Sequence, residues 1–249
     1  MPYSLTFPLD PDEADPLPPY PGRALHALFY QWLAVGDYSL STKVHDSEGP
    51  RPFTTSPLHR VNGQPTIRFT LLDDELWPAL SQGLSKTPTI EVLNRPLTLP
   101  ADGPRIAHSS YTELSDGRTD RRIQLRFLSP TSFRSHGMHY PLPDPVLVYQ
   151  SWLTHWNTFA PEELRINVAL LDIVAAHVAV GRYDLRTRLV DLGTNWKVVG
   201  FIGGVQFNVL RARKIGDEWL RRLNLLADYA AFCGTGHKTA HGMGQTRRR

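Results

Sequence analysis

Two kinds of apolar spacing alternate along this chain of 249 residues, and the order in which they alternate occurs twice. YSLTFPL sets Tyr3, Leu5, Phe7 and Leu9 on one side with period two, the mark of a strand. The proline-rich PLDPDEADPLPPYPG can continue neither strand nor helix and reads as a loop. GRALHALFYQWLAVG then places Leu25, Leu28, Phe29, Trp32 and Leu33 at helical spacing, and the helix is expected to end near Gly36. RPFTTSP and PTIRFTLL are expected strands, DDELWPALSQGL a short helix, TIEVL and RIAHSSYTEL further strands. The second half runs the same way. RRIQLRFL is strand-like, and DPVLVYQSWLTHWNTF is helical with Tyr149, Trp152, Leu153 and Trp156 on one side. PEELRINVALLDIVAAHVAVG reads as one further helical stretch, proline in its first turn and glycine at its end. RYDLRTRLVDL and KVVGFIGGVQFNVL are strands joined by the turn-like GTN, and DEWLRRLNLLADYAAFCG is a helix. Two βαββαβ units in tandem predict an α+β protein of duplicated ferredoxin-like (RRM-like) domains. The polar stretch SDGRTD places the seam, giving residues 1–119 and 120–249.

Composition narrows the functional classes. No run approaches eighteen apolar residues, so no membrane span is expected. The first residues lack a basic stretch and turn acidic early, which argues against a signal peptide. The single cysteine, Cys233, leaves no internal disulfide framework and no cysteine-only zinc site. A cytoplasmic protein is expected. The formal charge is only +3, but the arginines are grouped: Arg118, Arg121, Arg122 and Arg126; Arg182, Arg186 and Arg188; Arg211, Arg213 and Lys214; and Arg247 to Arg249. Such groups can neutralise phosphates or simply solvate a face.

The last sixteen residues, GTGHKTAHGMGQTRRR, raise the question of whose phosphate a glycine-rich loop would hold. A nucleotide-binding loop needs glycine directly before its Lys-Ser/Thr pair, and His237 intervenes here. Such a loop also runs from strand into helix, whereas this one follows a helix. A dinucleotide GxGxxG fails too, since Thr239 stands in place of its third glycine. No nucleotide cofactor is expected. Gly234, Gly236, Gly242 and Gly244 would let the backbone approach another chain closely, and successive N–H groups beside Lys238 would make an anion nest. The plainer alternative is a helix cap at Gly234 with a frayed tail behind it.

This tail, preceded by GFIGGVQFNV and LADYAAFCG, resembles the C-terminal signature of CRISPR repeat-processing endoribonucleases of the repeat-associated mysterious protein (RAMP) superfamily. RPFTTSPL resembles that family's N-terminal strand motif, IQLRFLSPTSFR the strand opening its second domain, and PDPVLVYQSWLTHWNTF the helix that follows. The matches keep the family's order over nearly the whole chain. The resemblance implies two ferredoxin-like domains with RNA on a basic face between them. It further implies a metal-independent ribonuclease that cuts within the repeats of a CRISPR transcript. The 2′-hydroxyl beside the scissile phosphate attacks it, leaving 2′,3′-cyclic phosphate and 5′-hydroxyl ends. The implied partner is the repeat RNA, precursor and processed guide, bound by a monomer or homodimer. The alternative reading is a non-catalytic RNA-binding subunit of an effector complex.

Attack by a 2′-hydroxyl needs a base for its proton, an acid for the leaving 5′-oxygen, and donors for charge on phosphorus. Histidine suits the first two tasks. The resemblance points to a histidine on the first helix and one ahead of the RPFTTSPL strand. His26 lies on the helix, sharing an edge with Arg23 and Tyr30, and His45 lies in the polar STKVHDSEGPRPF, expected as loop. Tyr30 fits the tyrosine that some relatives use. Their lysine after the histidine is absent, which leaves Arg51 or Lys43 for the phosphate charge. His136 and His139 have no cysteine or paired acid nearby, so no metal site is expected there. RNA contacts are expected from Gly234, Gly236, His237, Lys238, Thr239, Gly242 and Gly244, with His241 beside them. Arg118, Arg121 and Arg122 follow, then Arg182, Arg186 and Arg188, whose basic hairpin could enter the groove of an RNA stem.

Overall fold

The computed structural model describes residues 1–115, 117–135, 137–193 and 197–249. It divides into two compact units. The first comprises Met1–His108 with Asp191, Leu192, Gly193 and Ala240–Gly242; the second comprises Ser109–Val190, Lys197–Thr239 and Met243–Arg249.

In the first unit, β1 (Tyr3–Pro8) buries Leu5 and Phe7 as its alternation requires. Part of the proline-rich stretch expected as loop is a helical turn, α1 (Pro11–Ala14). Proline suits its first position, and the Asp10 carboxylate accepts from the Asp12 N–H. α2 (Gly22–Gly36) buries Leu25, Leu28, Phe29, Trp32 and Leu33, the stripe read from sequence. A second correction follows at once: the stretch holding Lys43 and His45 is a helix, α3 (Tyr38–Asp46), and not a loop. Asp37 ends α2 with an extended backbone and caps α3 by accepting from the Leu40 N–H at 2.9 Å. β2 (Phe53–Thr55), β3 (His59–Val61) and β4 (Gln64–Leu71) come next, then α4 (Trp77–Lys86). The hairpin of β5 (Thr89–Val92) and β6 (Arg95–Thr98) precedes β7 (Arg105–His108). The sheet runs β2-β4-β1-β7 with antiparallel neighbours and β3 added on β4. Its four main strands, taken with α2 and α4, make a βαββαβ ferredoxin-like unit.

The second unit begins ahead of the expected seam at residues 119 and 120. Helix α5 (Tyr111–Ser115) belongs to it because Tyr111 packs edge-on against Trp156, ring centroids 5.2 Å apart, and beside Tyr229. β8 (Arg122–Thr131) is followed by a small hairpin of β9 (Phe133–Ser135) and β10 (Met138–Tyr140). α6 (Pro145–Phe159) is capped by Asp144 and buries Tyr149, Trp152, Leu153 and Trp156. The stretch expected as one helix after it is instead a 3-10 turn at Glu162–Leu164, a shorter helix α7 (Leu170–His177), and the start of β11 (Val178–Asp191). The Asn157 side chain explains the break. It accepts from the Ile166 N–H and donates to the Ile166 carbonyl, both at 2.8 Å, in place of helical partners. β12 (Lys197–Val209), α8 (Ala212–Cys233) and β13 (Thr246–Arg248) complete the unit. α8 has non-helical backbone at Gly216, so its continuous run starts where DEWL predicts it. The sheet order β11-β12-β8-β13 repeats the ferredoxin-like arrangement. Thr194 and Asn195 of the expected GTN turn lie outside the described residues, as does His136.

Candidate active site

The first unit gathers a group of aromatic and imidazole rings at one edge of α2. Tyr30 and His26 are four residues apart on that helix, with ring centroids 5.1 Å from one another. Tyr30 meets His45 edge-on at 5.3 Å, and His26 stacks against His241 at 4.2 Å. Phe53, fully buried on β2, forms the floor beneath His26 and Tyr30. Phe29 stacks on Phe53 at 3.8 Å from the other side and ties the floor into the core. The Ser41 hydroxyl donates to the Tyr30 carbonyl at 3.0 Å, which fixes α3, and so His45, against α2.

Each group has a definite chemical state or constraint. The Tyr30 hydroxyl is buried with no hydrogen-bond partner among the described residues. Burial raises its pKa, with the Arg51 charge pulling weakly the other way, so at neutral pH it is a phenol able to donate. Nδ1 of His45 lies 3.0 Å from the Asp46 carboxylate. A carboxylate can only accept, so this nitrogen carries the hydrogen, and in the neutral ring Nε2 is the one that presents a lone pair. Arg51 Nη1 donates to the Val44, His45 and Ser47 carbonyls at 2.9 to 3.1 Å, capping the C-terminal end of α3. Arg51 thus holds the turn that carries His45. Lys43 is exposed on α3, but two helical positions from His45 is about 200° around the axis, so the two face different ways.

The glycine-rich tail is part of the fold rather than a frayed end. Gly234, Thr239, Gly242 and Gly244 are buried, while Gly236, His237 and Lys238 are partly exposed. The chain that the glycines approach is their own. The N–H groups of Gly234, Gly236 and Gly244 donate to the Ala230 carbonyl, the Ser151 hydroxyl and the Pro130 carbonyl. Those three N–H groups are therefore unavailable to the expected anion nest. Gly244 has φ of 70°, and a Cβ there would stand 2.1 Å from the Thr235 carbonyl oxygen, so only glycine fits. What the tail presents outward is side-chain charge. His237, near Lys238, Arg134 and His139, has its pKa pushed down to about 4, chiefly by burial and then by those neighbours. Arg248, counted above with the basic groups, is instead buried in ion pairs with Asp120 and Asp228.

Arg118, Arg121 and Arg122 are exposed at the entry to β8. Arg182, Arg186 and Arg188 are exposed on β11, at even positions that share one face of the strand with Asp184. Arg126, Arg182 and Tyr183 line an open groove on this sheet together with Gln124 and Gln206. Sequence reasoning set His241 aside as an RNA contact. The structure places it on His26, and no local signal in the sequence marks that pairing.

Tandem ferredoxin-like units closed by a glycine-rich segment define the class of fold, and solved Cas6 structures and a solved RAMP protein share it. Two family models match: the CRISPR-associated endoribonuclease Cas6 over residues 125–246 and the CRISPR Cas6 N-terminal domain over residues 1–67. The chain belongs to the Cas6 family of CRISPR-associated endoribonucleases. The Cas6 endoribonuclease of Streptococcus thermophilus is 25% identical over 118 residues, 47% of this chain and 46% of that protein. That of Mycobacterium tuberculosis is 27% identical over 127 residues, 51% of this chain and 38% of that one. The chain thus spans about half or less of the length of the curated relatives it matches. A solved Cas6 product complex aligns over 100% of this chain and 99% of its own, with a TM-score of 0.85 and 27% identity.

Proposed function

We propose that this protein cuts within the repeats of CRISPR precursor RNA, without a metal ion, to release guide RNAs. The observation that carries the proposal is the ring group on α2 and α3, where His26, Tyr30 and His45 lie side by side at a partly exposed edge. Membership of the Cas6 family supports it. The Nε2 of His45 takes the proton of the 2′-hydroxyl, whose oxygen bonds to phosphorus. The bond from phosphorus to the 5′-oxygen breaks, and protonated His26 gives that oxygen its proton. The Tyr30 phenol donates to a phosphate oxygen as charge develops there. Arg51 positions His45 by capping α3, and Lys43 adds positive charge at longer range. The products are a 2′,3′-cyclic phosphate and a 5′-hydroxyl. His237 and Lys238, the Arg118 to Arg122 group and the Arg182 to Arg188 strand bind the RNA backbone.

The test is cleavage of cognate repeat RNA in EDTA, beside a copy carrying 2′-deoxy at the cut site. Cleavage of the first alone is expected. An uncut natural substrate would return the chain to the reading of a binding subunit, and a cut deoxy substrate would remove the 2′-hydroxyl mechanism.

A further inference from the structure

Resting on that reading of the site, we infer that His241, from the glycine-rich tail, is a positioning residue for His26. Residues Ala240–Gly242 belong to the first unit, and three separate contacts hold them there. Ala240 is buried in that unit's hydrophobic core. Its carbonyl accepts from the Thr55 hydroxyl on β2 at 3.3 Å. The His241 carbonyl oxygen sits against the first turn of α2, 1.9 Å from where a Cβ on Gly22 would be. Any larger residue at position 22 would push this turn away. With its backbone so held, His241 lays its ring on His26 at a centroid distance of 4.2 Å and an interplanar angle of 24°.

The consequence is mechanical. A histidine at a half-open helix edge can turn about two side-chain bonds, and each rotation moves its nitrogens away from a bound phosphate. Rings on three sides remove that freedom: Tyr30 edge-on, Phe53 beneath, and His241 face-on. Tyr30 and Phe53 come from the local helix and strand. His241 arrives from the far end of the chain, so the glycine-rich segment takes part in aiming the acid as well as in holding RNA. A proton donor that is preorganised loses little of its rate advantage to misaligned states.

Single-turnover cleavage separates a positioning role from the alternatives. His241→Ala is expected to lower the rate constant about tenfold while RNA affinity stays within about threefold. His241→Phe, which keeps a flat ring, is expected to recover most of the rate. The double variant His26→Ala/His241→Ala should be no slower than His26→Ala alone, because His241 acts through His26. Wild-type rates for His241→Ala, or a Phe variant as slow as the Ala variant, would overturn the inference. An arm independent of activity uses the His26 ring proton resonances of the full chain. His241→Ala should remove their ring-current displacement, with thermal unfolding run beside it to confirm folding. If the wild-type protein does not cut RNA, the proposed function fails, and this arm still decides the inference. Unmoved His26 resonances would end it.

Discussion

α2 and α6 hold the same station in the two ferredoxin-like units, each being the long helix after the unit's first strand, and each has 15 residues. Both bury a stripe of aromatic side chains, and both carry a histidine. The two histidines live differently. His155 is almost wholly buried, its Nδ1 donating to the Ser151 carbonyl at 2.8 Å, and burial lowers its pKa. His26 stands at a partly exposed edge among Tyr30, Phe53 and His241. A histidine on this helix is therefore packing in one unit and a candidate reagent in the other. Exposure and neighbouring rings separate the two roles, and position in the fold does not.

Replacing each histidine in turn puts that contrast to its strongest test. His26→Ala, like His45→Ala, is expected to slow single-turnover cleavage by about 10²–10⁴-fold with thermal stability nearly unchanged. His155→Ala should do the reverse, leaving the rate within a few-fold and lowering stability by about 1–3 kcal/mol. Cleavage assays and denaturant unfolding on the same three variants give the answer. Equal rate losses at positions 26 and 155 would erase the distinction between the helices.

The next largest effect belongs to the second unit alone. Arg248 on β13 is buried between Asp120 and Asp228, and it also bonds the Asn224 side chain of α8. Arg248→Ala would leave the partly buried Asp228 carboxylate without its cation and its charge-assisted hydrogen bond, a loss of about 1.5–3 kcal/mol. Arg247 and Arg249, exposed on either side, provide the control: their alanine variants should weaken RNA binding at low salt and spare stability. A stability loss no larger for Arg248 than for its neighbours would remove its assigned role as an anchor.

Much of this contrast could be read before any coordinates, for a physical reason. β1, α2, β8 and α6 each bury one regular face, and a regular face leaves its period in the sequence. α3 escaped because only Ser41 and Val44 are buried along it, too narrow a stripe to stand out from STKVHD. Its one clear sign was Asp37, a capping residue placed directly after the glycine that ends α2. The boundary between α7 and β11 escaped because INVALLDIVAAHVAV is apolar almost throughout and carries no period. In the site, His26 and Tyr30 could be paired from helical spacing alone. His241 could not, since Gly22 and the core around Ala240 bring it there and both act at long range. Arg51 could be named as a nearby cation, but its capping role needs α3 to exist first.

Protons make the gentlest probe of the second unit. His237 titrates near 4 in the folded chain and near the ordinary 6.5 once unfolded. Between those values the unfolded chain binds the proton more readily, so stability falls as pH is lowered from about 6.5 to about 4 and levels off below. The buried His155 acts in the same direction. His237→Gln should flatten the slope over that window, with His155 supplying what remains, in unfolding curves recorded every half pH unit or so. Bound RNA should oppose the effect, because a phosphate beside Lys238, Arg134 and His139 offsets the charges that, after burial, hold the imidazole neutral. The wild-type protein would then take up a proton on binding RNA near pH 5.5, and His237→Gln would take up less. Identical proton uptake by the two proteins would place the RNA away from His237, and the second unit's contribution would reduce to its exposed arginines.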